Sequence, residues 1–370
     1  MTICIVLSFI RQFTGNLMKR WKLLLAEKLL EFTADYRSRV DCSEEQFCEP
    51  ERIAVFCVSS VGDFVISTPA LRAVRKRFPS AKILMITTRE IVQLVKSYGW
   101  FSHVLVRHTD VAGILRFYMI MKKFRPQITI TLGPHAPVDV VCAALAGSKE
   151  IYMDSGSDES VTLKRFASRH TGSFSGHIIQ RQLALTATLG AVTGDVRMSL
   201  PKAFIRDKTG KTFSVAFHLT EMRTKEQWPL KRLHELAKAL MLNFPGIRIV
   251  LIGNRADEIT AIKLANSLYS DMTGYFCIAT GITDVASLVS LIRSQTVLIT
   301  GDSCLLQVAI AARIRTVILQ NGYEKVERMP IQDLGFHRTI TVRRNSLDDF
   351  EITRVFSAVR HAIEESRLDK

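Results

Sequence analysis

Residues 52–80, RIAVFCVSSVGDFVISTPALRAVRKRFPS, decide the fold, because they pass from an apolar run through a small-residue turn into a basic amphipathic segment. The first run has the length and composition of a buried strand. Beyond the turn, four apolar residues from Ile66 to Phe78 recur at helical spacing, which predicts an amphipathic helix. The stretch therefore indicates a strand–helix unit that carries a carboxylate, Asp63, at its turn.

The same alternation continues along the chain. Apolar runs such as AKILMITT and QITITLG alternate with helical segments such as AGILRFYMIMKKF, and the pattern restarts with FSVAFHL after a linker around SLPKAFIRDKTGK. Strand–helix alternation is typical of a parallel, doubly wound α/β sheet, and 370 residues exceed what a single core usually holds. We predict an α/β protein with two Rossmann-like domains, an N-terminal domain (51–205) and a C-terminal domain (206–345). An apolar and basic extension (1–50) precedes them, and a closing helix (346–370) follows them.

The composition limits the classes of binding partner and the cellular compartment that we expect for this protein. Lys and Arg outnumber Asp and Glu by 50 to 35, which gives a formal charge of +15 and favours a polyanionic partner: nucleic acid, anionic lipid or phosphorylated glycan. The sequence has no recognisable nucleic-acid-binding signature, so charge alone leaves these classes open. Seven cysteines without a C-x-x-C pair indicate reduced thiols and a cytoplasmic location.

The first 40 residues are apolar and basic. No uncharged apolar run approaches the roughly 18 residues that a membrane span needs. In MTICIVLSFI and the segment after it, the basic residues follow the apolar run, which is the reverse of the order in a signal peptide. Three interpretations stay open: an interfacial helix on the inner face of the cytoplasmic membrane, an arm that packs on the protein, or a misassigned start of the chain.

Charged residues follow several of the predicted strands. Asp63 follows the first strand of the first half, Asp302 in LITGDSCLLQVA takes the equivalent place late in the second half, and Lys225 follows that half's first strand. Open α/β sheets bind ligands at the carboxyl ends of their strands, so we expect these groups to face a shared cleft. The alternative is that both aspartates cap helices and that Lys225 is a solvated charge.

Other chemistries lack their motifs. The sequence has no G-x-G-x-x-G after the first strand and no Walker A segment, so a dinucleotide cofactor and P-loop chemistry lack their phosphate-binding loops. GDSCL lacks the final glycine of a nucleophile elbow, which argues against a serine hydrolase. No Asp-x-Asp pair is present to hold a metal ion. We expect neither a metal nor a cofactor.

Four ordered segments resemble the lipopolysaccharide heptosyltransferases, glycosyltransferase family 9. They are VSSVGDFVISTPALRAVRKRF, KEQWPLKRLHELAKAL, LIGNRADEITAIKLA and LITGDSCLLQVAIAARIRTVIL, which span roughly residues 52–340. The resemblance implies the GT-B architecture, with two Rossmann-like domains and the active site between them. It also implies transfer of a sugar from a nucleotide-diphospho-sugar, such as ADP-heptose, to a lipopolysaccharide core or a similar anionic glycan or glycolipid.

The resemblance also assigns site residues. Asp63 falls at the position of the catalytic base, and Lys225 at that of the lysine that holds the donor's diphosphate. The remaining donor-binding positions are Thr220 for a hydroxyl contact to the phosphates, Asp257 and Glu258 for the ribose, and Asp302, Ser303 and Cys304 for the D-S/T-G motif at a helix N-terminus.

Three positions depart from the family pattern. Cys304 replaces a glycine, Gln307 replaces a histidine, and Glu221 replaces a threonine near the expected diphosphate. The first interpretation is an inverting glycosyltransferase in which Asp63 accepts the acceptor's proton, with no nucleic-acid partner. The second is a family member that binds nucleotide-sugar or glycan without turnover. The third is a basic two-domain scaffold for nucleic acid or anionic membrane.

Overall fold

The computed structural model contains two compact units of parallel α/β structure. The first comprises residues up to 60 together with 67–196, and the second comprises 61–66 together with 197–370. The structure describes residues 49–57, 60–108, 111–133, 137–154, 167–171, 174, 176–201, 213–224, 230–269, 275–282, 284–321, 326–342 and 352–368. Residues 1–48 of the N-terminal extension and Lys225 lie outside these residues.

The first unit is built on a six-stranded sheet in the order β3-β2-β1-β4-β5-β6, and all its described strand pairs are parallel. Its strands are β1 (Arg52–Phe56), β2 (Lys82–Thr87), β3 (His103–Val106), β4 (Ile128–Thr131), β5 (Glu150–Met153) and β6 (Arg169–His170). Its described helices are α1 (Val61–Arg77), whose first six residues group with the second unit, α2 (Val92–Lys96), α3 (Val111–Phe124), α4 (Pro137–Leu145) and α5 (Ile178–Ala187).

The second unit repeats this architecture with the sheet order β12-β11-β10-β7-β8-β9, again with every described pair parallel. Its strands are β7 (Ser214–His218), β8 (Arg248–Gly253), β9 (Tyr275–Thr280), β10 (Val297–Thr300), β11 (Arg315–Asn321) and β12 (His337–Val342). Its helices are α6 (Leu219–Thr224), α7 (Leu230–Asn243), α8 (Glu258–Tyr269), α9 (Val285–Arg293), α10 (Cys304–Ala311) and α11 (Ile352–Leu368), with short 3₁₀ helices at Arg255–Asp257, Val326–Arg328 and Leu334–Phe336.

The hydrophobic pattern explains these elements. On α7, residues 233, 236, 237, 240 and 241 are buried, which is the spacing of one face of a helix. That face packs into a core with α11 and with the central strands, whose residues are buried on both faces of the sheet and are mostly apolar. In the first unit, the rings of Phe56 and Phe117 meet edge to face at 5.7 Å. The predicted pair of parallel, Rossmann-like α/β sheets is confirmed.

Among the described residues, no helix is both long enough and apolar enough to span a bilayer.

A buried carboxylate ties the strand ends of the first unit together. Asp154, which follows β5, accepts hydrogen bonds from Arg181 Nε at 2.6 Å, from Arg181 Nη2 at 3.3 Å and from Gln182 Nε2 at 3.3 Å. It also accepts a hydrogen bond from the backbone N–H of Gly133 at 3.0 Å, in the turn after β4. A buried ion pair with these additional hydrogen bonds fixes two loops and α5 to one point.

We predict that Asp154→Ala lowers the free energy of unfolding by about 3–5 kcal/mol, because it leaves the Arg181 guanidinium buried without its carboxylate. Denaturant unfolding measures the change. The control is Glu364→Ala, which removes an exposed i,i+4 pair with Arg360 on α11 and is expected to cost less than about 0.5 kcal/mol. Equal midpoints for the parent and Asp154→Ala would contradict a holding role for Asp154.

Candidate functional site

The strand order of the second sheet determines which loops meet. Strand β7 pairs with β8 on one side and with β10 on the other, so the residues that follow these three strands lie along one edge of the sheet. Thr220 and Glu221 follow β7, Asp257 follows β8, and Asp302 follows β10. The structure thus brings most of the predicted donor-binding positions together in one compact unit.

Asp257 is an internal hydrogen-bond acceptor. It is 4% exposed, and its Oδ2 accepts from Thr220 Oγ1 at 2.5 Å and from the Asn254 backbone N–H at 3.0 Å. Gly253 is required beside it, because a Cβ on that residue would lie 2.7 Å from Asp257 Oδ2. Asp257 therefore orients Thr220 and the turn after β8. Its neighbour Glu258, the first residue of α8, is exposed.

Ser303 is the N-cap of α10. Its Oγ accepts from the Leu306 N–H at 3.3 Å and lies 3.0 Å from Thr300 Oγ1, which in turn lies 2.8 Å from His218 Nδ1. The capping role that sequence patterns allow for Asp302 therefore belongs to Ser303. The buried chain of His218, Thr300 and Ser303 joins the ends of β7 and β10 to the start of α10.

The first turn of α1 lies against the start of α10. A Cβ on Gly62 would fall 2.6 Å from the Cα of Cys304, so only glycine fits at residue 62. Burial raises the pKa of the Cys304 thiol, and the negative charges of Glu221 and Asp63 raise it further. The thiol at this helix N-terminus is therefore protonated at neutral pH and adds no negative charge to the site.

Asp63 forms an ion pair in the same unit. Arg328 Nη2 donates to Asp63 Oδ1 at 2.6 Å, and Arg328 Nε lies 3.7 Å from Asp302 Oδ1. The two predicted acids are thus joined by one guanidinium. The buried amide of Gln307 donates to the backbone carbonyl of Arg328 at 3.0 Å, which fixes the 3₁₀ turn to α10.

Sequence reasoning missed Arg328, because EKVERMP matches no motif. Its one signal was position: it comes a few residues after β11, the neighbour of β10, at the edge where the other site residues lie. Asp63 lies in the first turn of α1 but is not its first residue, so its carboxylate is placed well both for the helix dipole and for Arg328.

The described part of the chain contains no group of three or more His, Cys, Asp and Glu side chains arranged to hold a metal ion. The predicted diphosphate ligand Lys225 lies in residues that the structure does not describe, so its placement stays a prediction.

Comparison with solved structures identifies proteins of the same fold. The family 9 glycosyl transferase of Veillonella parvula DSM 2008 has a TM-score of 0.69 at 17% identity, over 85% of this chain and 97% of that one. The E. coli ADP-heptose lps heptosyltransferase II also gives 0.69 at 17%, over 85% and 99%. E. coli heptosyltransferase WaaC with ADP-2-deoxy-2-fluoro heptose gives 0.62 at 18%, over 85% and 99%. These likenesses show the GT-B architecture with two Rossmann-like domains.

The sequence itself also matches a known family. No curated protein matches the chain. The profile described as glycosyltransferase family 9 (heptosyltransferase) matches residues 128–342, more than half of the 370 residues, although Asp63 lies outside the matched segment. The resemblance drawn from the sequence motifs is confirmed, and the chain is a glycosyltransferase that belongs to glycosyltransferase family 9.

Proposed function

We propose that this chain is an inverting glycosyltransferase that moves a heptose-like sugar from a nucleotide-diphospho-sugar to a lipopolysaccharide core or a similar anionic glycan. The observation that carries the proposal is the grouping of Asp63 with Asp302, Ser303 and the N-terminus of α10 in one compact unit. The solved heptosyltransferases of similar fold include one with ADP and one with an ADP-fluoroheptose, which supports an ADP-heptose-like donor.

On the acceptor side, Asp63 is the proposed general base. The acceptor hydroxyl oxygen attacks the anomeric carbon of the sugar while its proton passes to the Asp63 carboxylate. The new bond forms as the bond from the anomeric carbon to the diphosphate oxygen breaks, and the electron pair leaves with the nucleoside diphosphate. A single displacement of this kind inverts the configuration at that carbon. The N-terminal domain, residues 51–205, is the proposed acceptor-binding domain.

On the donor side, the second unit supplies the positive groups. The N-terminus of α10 presents the positive end of its dipole to the leaving diphosphate, and Lys225 adds a full charge. Thr220 donates its one hydroxyl proton to Asp257, so its proposed hydrogen bond to the phosphates requires that this proton change partner. Because Asp257 is buried in that contact and Glu258 is exposed, the ribose contact falls to Glu258. These groups stabilise the leaving diphosphate without a metal ion or another cofactor.

The acceptor and its location follow from charge. A formal charge of +15 suits an anionic glycolipid at the inner face of the cytoplasmic membrane, where basic segments are attracted to anionic lipid. The apolar and basic residues 1–40 are the proposed membrane contact, in a protein that is otherwise cytoplasmic.

A second candidate is a family member that binds nucleotide-sugar or glycan without transfer. The residues that favour it are Glu221, which brings a negative charge close to the expected diphosphate, and Cys304, which places a side chain where the family has glycine. Donor turnover separates the two candidates, because the second binds the donor and leaves it intact.

We predict that Asp63→Asn lowers the single-turnover transfer rate by about 10²–10⁴-fold, since the amide cannot accept the proton, while donor binding is not weakened and the melting temperature changes little. The matched control is Asp284→Asn, because Asp284 is the N-cap of α9 and Asn caps a helix about as well as Asp. Transfer at the parent rate by Asp63→Asn would remove Asp63 from the chemistry.

We predict that Lys225→Ala weakens nucleoside diphosphate binding by about 1–3 kcal/mol, the usual scale for a charge-assisted hydrogen bond. Calorimetric titration measures the affinity. Lys238→Ala, which removes an exposed charge from α7, controls for the change in net charge. If both variants bind every nucleotide as the parent does, Lys225 is not part of the donor site.

We predict that deletion of residues 1–40 leaves donor binding unchanged but reduces sedimentation with vesicles that contain anionic lipid, because the deleted segment is apolar and basic. Vesicles of neutral lipid alone provide the reference. Equal sedimentation of the shortened and full chains would contradict the membrane role.

A further inference from the structure

Arg328 is the cation around which the described part of the site is organised. Its side chain is 28% exposed, and its guanidinium lies 2.6 Å from Asp63 and 3.7 Å from Asp302, whose side chains are each 18% exposed. All three side chains are thus partly open to solvent. A small ligand that enters at the start of α10 can reach the guanidinium without unfolding any element.

The backbone of Arg328 is fixed to the same helix that the donor is proposed to meet. Gln307 is 1% exposed, lies in the first turn of α10 and holds the Arg328 carbonyl at 3.0 Å. The side chain of Arg328 has several rotatable bonds beyond this fixed point. The guanidinium can therefore change partners while the backbone of Arg328 stays in place beside α10.

The charge of the site requires such a cation. Asp63 and Asp302 lie next to Arg328, and the Glu221 carboxylate is close enough to Gly301 that its Oε2 would lie 3.4 Å from a Cβ there. Three carboxylates around the start of α10 repel a diphosphate. A guanidinium offers planar, paired N–H donors that match a phosphate group, so Arg328 is well suited to overcome this repulsion.

We propose that Arg328 is a donor-binding residue that exchanges partners: it leaves its pair with Asp63 and turns to the donor's diphosphate when the donor binds. The exchange removes the Arg328 contact from Asp63 Oδ1, so that this oxygen can accept the proton of the acceptor hydroxyl. The base is thus released only when the leaving group is in place. This inference rests on the proposed transferase function and adds a residue that its family motifs do not contain.

The test is calorimetric titration of the full chain with ADP and with AMP. Arg328→Met is expected to weaken ADP binding by about 10- to 100-fold, because one charge-assisted contact to phosphate is lost, and to weaken AMP binding less. Arg328→Lys, which keeps the charge but lacks the paired donors, is expected to fall between Met and the parent. Arg328→Lys also provides the test if Arg328→Met does not fold. Arg338→Met is the matched control, since Arg338 is a partly exposed arginine that pairs with Glu365 elsewhere in the unit.

Partner exchange is tested by combining variants. Asp63→Asn removes the competing carboxylate, so it is expected to tighten ADP binding several-fold in the parent background and not at all beside Arg328→Met. The same gain in both backgrounds would show a simple charge effect and overturn the exchange. A parent that binds ADP and transfers sugar, with ADP affinity unchanged in Arg328→Met, would overturn this inference alone. A parent that binds no nucleoside diphosphate would overturn the proposed function and this inference together.

Discussion

Parallel strand pairing is the constraint on which the rest of the structure depends. All described pairs in both sheets are parallel, so the strands of each sheet end at one common edge and their connecting helices return on the faces. In the second unit, β7 lies between β8 and β10, and the loops after these three strands must meet. Thr220, Asp257 and Ser303 are distant in sequence but neighbours for this reason alone.

The acids at these edges have two different environments. The environment distinguishes the acids that hold loops in place from those that can reach a substrate. Asp154 in the first unit is buried and paired with Arg181, and Asp257 in the second unit is buried against Thr220. A carboxylate enclosed in this way has its hydrogen bonds committed to holding loops. Asp63 and Asp302 instead remain partly exposed and share one arginine. Partial exposure is what allows a carboxylate to reach a substrate.

The sequence predicted the central strands of both sheets and one edge strand, β3, but not the other three edge strands. Its patterns found the apolar central strands, the α7 and α11 helices and the acids that follow the strands, because burial on both faces imposes a strong local signal. They did not predict β6, β9 or β12, each of which is an edge strand. The sequence of β12, HRTITV, is largely polar, and residues 277 and 278 of β9 are exposed, so these strands lack a buried pattern.

The site was predictable to the extent that its residues follow strands. The positions of Asp63, Asp302 and Ser303 could be found in this way, whereas their partners could not. Which helix an acid caps and which arginine it pairs with depend on contacts made across long stretches of chain. Arg328 and Asp63 are 265 residues apart, and no local pattern encodes such a pairing.

Two of the three departures from the family pattern, Cys304 and Gln307, are accommodated by the surrounding structure. The start of α10 approaches α1 closely because residue 62 is glycine, and the Cys304 thiol stays neutral because desolvation and the neighbouring acids raise its pKa. The Gln307 amide has a partner in the Arg328 carbonyl, so the buried polar group that replaces the family's histidine is hydrogen-bonded. In a site that had lost its function, the buried Gln307 amide would not need a partner, and Arg328 would not need to be held near Asp63. Here two of the three departures act on the same connection, which links Asp63 to the start of α10. These contacts favour a functional site whose supporting residues differ from the family pattern over a site without function.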